Sequence, residues 1–192
     1  MSVHEHRHAA PKSVTVTVCT VSDTRTEATD KSGQLVQELL LAGGHRVNGY
    51  KLIKDESHLV EDILLRFLAT PEFEALIFTG GTGIAPRDVT ADVLLRTPEI
   101  KLLPGFGELF RMLSYAEIGA AAMLSRACAF VSANQFIAVL PGSSAAVRLA
   151  MEKLIVPELG HTLGMLRGQV WRCNPRSRSQ TSLILASRPS RH

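Results

Sequence analysis

The periodic part of the chain begins at Ser13, where SVTVTVCTV alternates apolar and small polar residues and is rich in β-branched side chains, predicting a strand that ends near Val21. The polar segment SDTRTEATDKSG then leads into QLVQELLLAGG. There Leu35, Val36, Leu39 and Leu40 share a helical face and Gly43-Gly44 is a stop signal. Residues 45–53 predict a second strand, followed at Lys54-Asp55-Glu56-Ser57 by a helix through Leu59, Ile63, Leu64 and Phe67. The apolar run Ala75–Thr79 is a third strand and ends in TGGTG. Beyond Pro86-Arg87-Asp88, Thr90 stands where it can N-cap the helix ADVLLR. Pro104-Gly105 predicts a break before the helical stretch GELFRMLSYAEIG. Strands at residues 127–131 and 136–140 follow, and after PGSS comes a helix, AAVRLAMEKLI, that runs past Pro157 into PELGHTLGMLRG.

Strands alternating with helices imply βαβ units around a parallel sheet. Composition agrees with one α/β domain, residues 13–168, between a disordered lead, residues 1–12, and a tail, residues 169–192. The chain has 192 residues, 45% hydrophobic and only 5% aromatic, which suits aliphatic layers and argues against a surface that stacks nucleic-acid bases. The net charge of +3 hides a split: residues 1–158 carry 15 basic and 18 acidic side chains, and the rest carries 6 Arg and no acid. A polyanion would meet a body of the wrong sign, so no nucleic-acid partner is expected. Cys19, Cys128 and Cys173 form no paired framework, and the start has no apolar signal segment. No stretch approaches the roughly 18 apolar residues of a membrane span. The expectation is a cytoplasmic protein without a membrane partner.

In an open parallel sheet, ligands bind outside the carboxyl ends of the strands. Four predicted turns at that edge carry reactive or hydrogen-bonding residues: Ser22-Asp23-Thr24, Asp55-Glu56, Thr79-Gly80-Gly81-Thr82-Gly83 and Pro141-Gly142-Ser143-Ser144. The glycines can turn N–H groups toward an anion, and the Thr hydroxyls add donors. The loop lacks the Gly-Lys-Ser/Thr of a Walker motif and the spacing of a dinucleotide fingerprint. Asp55 and Asp88 suit a Mg²⁺ ion that bridges phosphates. Structural roles stand beside these readings: a tight turn for the glycines, a helix cap for Asp55 or Ser143, and a favourable first-turn charge for Asp88. Lys54 and Arg87 can hold phosphates or pair with acids. His4, His6 and His8 in the lead, and Arg172, Arg176, Arg178, Arg188 and Arg191 in the tail, read as solvated chain, and Trp171 as packing. His45, His58 and His161 are placed at surfaces or helix ends without a role.

The segments VCTVSDTRT, FTGGTGIAPRDVT, LPGFGELFR with MLSYAEIGAAAMLSRA, and LPGSSAAVRLAMEKLI occur in the order seen in the MoaB/Mog family of molybdenum cofactor biosynthesis proteins. Residues 13–168 resemble that family, and its MoaB branch in particular. The resemblance implies a three-layer α/β domain with a mostly parallel central sheet flanked by helices. It further implies molybdopterin binding and transfer of AMP from Mg-ATP to the pterin's terminal phosphate, with release of pyrophosphate. A catalytically inactive relative that stores or hands over the pterin is the alternative. By this resemblance Asp55 serves magnesium and catalysis, and Asp88 is the second catalytic aspartate. Thr79, Gly80, Gly81, Thr82 and Gly83 line the pterin and phosphate site, Pro141, Gly142 and Ser143 the pterin pocket, and Ser22 and Asp23 border the nucleotide. Implied partners are molybdopterin, ATP, further copies in a homotrimer or homohexamer, and a molybdate-insertion enzyme. Lys54 stands where relatives often have Pro. Leu109, Phe110, Met112, Leu113 and Tyr115 give one helix more apolar surface than a single face needs.

Overall fold

The computed structural model describes residues 10–168. Its strands are β1 (Thr15–Val21), β2 (Arg46–Ile53), β3 (Ala75–Thr79), β4 (Lys101–Leu102), β5 (Cys128–Val131) and β6 (Phe136–Leu140). The helices are α1 (Lys31–Ala42), α2 (Ser57–Leu68), α3 (Thr90–Arg96), α4 (Pro104–Ile118), α5 (Ser144–Ala150) and α6 (Val156–Leu166). Short 3₁₀ turns lie at Glu27–Thr29 and Gly119–Leu124. The expectations for His4, His6, His8, Trp171, Cys173 and the arginines after Gly168 lie outside the described residues.

Strand side chains alternate between two aliphatic layers, which is why β3 and β6 read as continuous apolar runs. Val14, Val16, Val18, Ala75, Ile77, Ala138 and Leu140 face one layer, formed by α1, α4, α5 and α6 through residues such as Val36, Leu40, Phe110, Val147 and Leu159. Cys19, Val21, Leu76, Phe78, Ile137 and Val139 face the other, where α2 and α3 bring Leu64, Phe67 and Leu94. The result is the expected three-layer α/β domain with a mostly parallel sheet. Among the described residues no helix is long and apolar enough to cross a membrane.

The sheet order is β2-β1-β3-β6-β5-β4. The first four strands are parallel, while β5 runs antiparallel to both β6 and β4. The antiparallel pair has a simple cause. Residues 132–135 close a tight turn, with the Ser132 N–H on the Gln135 carbonyl at 3.0 Å, and so short a link leaves no room for a crossover helix. The two-residue β4 has no signature of its own; it exists because β5 offers an edge. Nor does Pro104-Gly105 break the chain ahead of the helix: both belong to α4, and Pro104 opens it, where its missing N–H is one the first turn would leave unpaired anyway. Past α5 the chain does continue through Pro157 as expected, but by way of a π turn at Met151–Ile155. That widened turn accommodates a proline that cannot donate to a carbonyl one turn back.

His45, expected at a surface, is only 6% exposed, and neither ring nitrogen reaches a partner in hydrogen-bonding geometry. Burial, the largest influence, pushes its pKa below the usual value, against weaker opposite pulls from the Val156 backbone and Glu74. The sign follows from linkage: the unfolded imidazole takes up a proton near pH 6.5 that the folded one refuses, so folding stability falls as pH drops below about 6.5. The difference in melting temperature between wild type and His45→Leu should therefore shift in favour of the variant between pH 7 and pH 5. A difference independent of pH would overturn the assignment.

Candidate active site

The chain leaves β1 toward β2 on one side and leaves β3 toward β4, at the far edge, on the other, so the topological switch point lies between the carboxyl ends of β1 and β3. Here the β3–α3 loop is drawn tightly over β1. The Gly80 N–H donates to the Leu140 carbonyl at 2.9 Å, with Gly80 at φ +108°, and a Cβ on it would lie 2.1 Å from the Val21 carbonyl oxygen. A Cβ on Gly81 would lie 2.1 Å from Thr90 Oγ1 and 3.0 Å from Asp55 Oδ1. One on Gly83 would lie 2.6 Å from Asp88 Oδ2. The glycines thus do more than free their N–H groups: they leave space for two carboxylates and a hydroxyl to press against the loop.

The residues expected from sequence all lie along this rim, and its carboxylates sit in different surroundings. Asp23 accepts the Asp55 N–H at 3.3 Å and the Arg87 guanidinium at 2.6 Å, and that Arg87 bond is the main reason its pKa lies below the ordinary value. Arg87 is consequently engaged with a carboxylate. Asp55 accepts the Val89 N–H at 3.3 Å, yet its pKa is raised, first by burial and then by the negative charges of Asp88 and Asp23. Asp88 closes its own turn, its Oδ2 accepting the Ala85 N–H at 2.9 Å. Neither aspartate caps a helix: the N-cap of α2 is Glu56 and that of α3 is Val89.

Several hydroxyls turn inward. Thr79 and Thr82 are buried, and Thr79 donates to the Pro141 carbonyl at 3.2 Å. Ser143 caps α5 by accepting the Ala146 N–H at 3.3 Å, and Ser22 Oγ accepts the N–H groups of Thr24 and Arg25. Thr90, expected as an N-cap, is instead the first residue of α3. Fully buried, it has the only buried hydroxyl without a partner among the described residues, and it lies against Gly81.

Three further residues shape the rim, and the sequence motifs do not give their roles, although Arg25 stands in VCTVSDTRT and Arg126 in MLSYAEIGAAAMLSRA. Arg25 bridges two loops, donating from Nη2 to the Gly142 carbonyl at 2.6 Å and from Nη1 to Asp30 at 3.1 Å and to Ser32. Asp30, fully buried, caps α1 through the Gly33 N–H and also accepts from Thr20 at 2.6 Å and Tyr50 at 2.7 Å. Burial works to raise its pKa, but the bonds from Thr20, Tyr50, Gly33 and Ser32 outweigh it and keep the carboxylate below its ordinary value. The third is Arg126, which binds the β3–α3 loop from beneath through the Gly83 and Asp88 carbonyls. An N-cap position ahead of Lys31-Ser32-Gly33 is the one sequence signal that could have marked Asp30.

A family model described as a probable molybdopterin binding domain matches residues 17–161. Molybdenum cofactor biosynthesis protein B of Bacillus cereus is 49% identical over 162 residues, covering 84% of this chain and 95% of that one. Its Bacillus subtilis counterpart is 49% identical over 169 residues, covering 87% and 98%. Among solved structures, a crystal structure of molybdenum cofactor biosynthesis protein B superposes with a TM-score of 0.78 at 48% identity, covering 82% of this chain and 98% of that one. The tungsten cofactor synthesizing protein MoaB from Pyrococcus furiosus does so at 0.71 and 35%, covering 82% and 99%. With the switch-point rim built as described and similarity across almost the whole described chain, the protein belongs to the MoaB family of molybdenum cofactor biosynthesis proteins.

Proposed function

We propose that this rim transfers AMP from Mg-ATP to the terminal phosphate of molybdopterin. An oxygen of that phosphate forms a bond to the α-phosphorus of ATP, and the bond from the α-phosphorus to the bridging oxygen breaks. The electron pair leaves on pyrophosphate. The observation that carries the reading is the placement of the Asp55 and Asp88 carboxylates against Gly81 and Gly83 of a single loop.

The residues fit a magnesium ion. Asp55 and Asp88 are hard oxygen donors, and the unpartnered Thr90 hydroxyl lies close to the first. No cluster of three or more His, Cys, Asp or Glu donors occurs among the described residues, and Mg²⁺ held by one or two carboxylates plus substrate phosphates needs none. Held by Asp55 and Asp88, the ion would offset the negative charge of the substrate phosphates. The loop glycines can present N–H groups to phosphate, and the Asp23–Arg87 pair borders the same space, braced against Asp55. Transfer directly between phosphates needs no protein nucleophile. The thiols of Cys19 and Cys128 could not serve as one, since burial pushes both up to about 12.

The active unit in this reading is a homo-oligomer, a trimer or a pair of trimers. Leu109, Met112, Tyr115, Ile118, Met123 and Leu124, on α4 and the turn after it, are each between 47% and 76% exposed. So many exposed apolar side chains on one helix and the turn after it fit a partner copy.

Purified protein given Mg-ATP and molybdopterin should yield adenylylated pterin, and Asp55→Ala or Asp88→Ala should lower the rate by about 100-fold or more. Unchanged turnover in both variants would sink the assignment, and tight pterin binding without ATP-dependent product would replace it with the storage role. Because the folded Asp55 has a raised pKa, its ionised form costs folding stability at neutral pH. Asp55→Asn should therefore melt higher than wild type in metal-free buffer and lose the stabilisation that Mg²⁺ gives wild type; a lower melting temperature contradicts this. Light scattering at micromolar concentration should show an oligomer that Met112→Asp with Tyr115→Asp dissociates, and a monomeric wild type would refute the assembly.

A further inference from the structure

Arg126, near the end of the segment MLSYAEIGAAAMLSRA, lies in the short link between the 3₁₀ turn Gly119–Leu124 and β5. Its backbone N–H donates to the Thr82 carbonyl at 3.0 Å and its Nε to the Gly83 carbonyl at 2.7 Å. Nη2 donates to the Asp88 carbonyl, and Nη1 to both carboxylate oxygens of Asp92, in the first turn of α3, at 2.8 Å. One residue thereby holds the loop just before residues 84–87, just after them, and at the start of the helix they lead into. Residues 84–88 have a turn of their own, with the Asp88 N–H on the Ala85 carbonyl and the Ala85 N–H on Asp88 Oδ2, both at 2.9 Å. That turn sets their local shape without tying them to the body of the domain.

We propose that Arg126 is a positioning residue: it clamps the β3–α3 loop so that Asp88 and the glycine N–H groups keep a fixed placement relative to Asp55. Four of its side-chain hydrogen bonds go to the loop and to Asp92, so it acts mainly through them. The planar guanidinium fork matches acceptors spread along one side of the loop, and the three tetrahedral donors of a lysine ammonium do not. The kinetic part of this inference rests on the adenylyl-transfer reading; the structural part does not.

The test compares wild type, Arg126→Ala, Arg126→Lys and Asp92→Asn in two measurements. In hydrogen exchange without any ligand, amides of residues 80–89 should exchange faster in both Arg126 variants and less so in Asp92→Asn, while those of β1 stay protected. In steady-state adenylyl transfer, kcat should fall by about 10- to 100-fold in Arg126→Ala with a much smaller change in KM for Mg-ATP, as expected when reacting groups are misplaced. Added guanidinium should restore part of kcat in Arg126→Ala and none in Arg126→Lys. Wild-type exchange at residues 80–89 in both Arg126 variants overturns the clamp, whatever the chemistry proves to be. A wild type with no adenylyl transfer defeats the reaction, and exchange then decides the clamp alone. Should Arg126→Ala fail to fold by circular dichroism, Arg126→Lys decides: faster exchange upholds the clamp and wild-type exchange overturns it.

Discussion

The rim depends on how closely the β3–α3 loop can pass over the end of β1. Thr20 of β1 and Thr79 of β3 are register partners, so the two strands finish side by side and their continuations compete for the same space. Gly80 resolves the competition by bringing its α-carbon to the Val21 carbonyl, an approach that no residue with a Cβ could make at φ +108°. Once the loop is that low, Gly81 comes against Thr90 and Asp55, and Gly83 against Asp88. Gly142, at the end of β6, comes so near Gly80 that a Cβ on it would be 3.7 Å from the Gly80 α-carbon. A wider loop would leave these groups as separate surface side chains.

Electrostatics at the rim follows from what each acid touches. Asp23 is neutralised by Arg87, Asp30 is buried but saturated with donors, and Asp55 is half-buried with one backbone N–H and two acidic neighbours. Of these, only Asp55 is left with its charge poorly compensated, and a group in that state gains most from a cation. An acidic body cannot draw anionic substrates by its overall field, so recognition has to be local. Backbone N–H groups of the loop are one local means this fold offers, and the proposed cation on Asp55 and Asp88 would be another.

Most of the fold is legible in the sequence because β3 and β6 are apolar on both faces and the helices between strands carry clear stripes. The features that are not legible depend on neighbours distant in sequence. Two residues become β4 only by pairing with β5, and β5 reverses because its link to β6 is too short for a crossover. The loops that gather at the rim could be anticipated from topology, since parallel strands must end on the same edge. Asp30 shows in the sequence only as an N-cap position, while its burial does not, because that is made tolerable by Thr20 and Tyr50, each on a different strand. Arg126 stands in MLSYAEIGAAAMLSRA but its role is hidden, because most of its acceptors are backbone carbonyls, which no pattern of side chains records. His45 shows the converse error, a polar residue at a predicted strand edge that packing draws inside without a partner.

The π turn at Met151–Ile155 also sets the rotational phase of the last helix. A π turn is what remains when one residue is inserted into an α-helix, and each residue turns the helix by about 100°. The wider turn takes up that residue without the rotation it would add to a regular α-helix, and Leu159 and Leu163 so keep their places in the first layer. Removal of one residue from the turn would straighten the hydrogen-bond ladder and leave both leucines facing the core, whereas forcing the same residues into a regular α-helix would swing them away from it. The irregular turn therefore absorbs an angular offset and lets two helix segments, joined without a loop, bury their apolar stripes in one core.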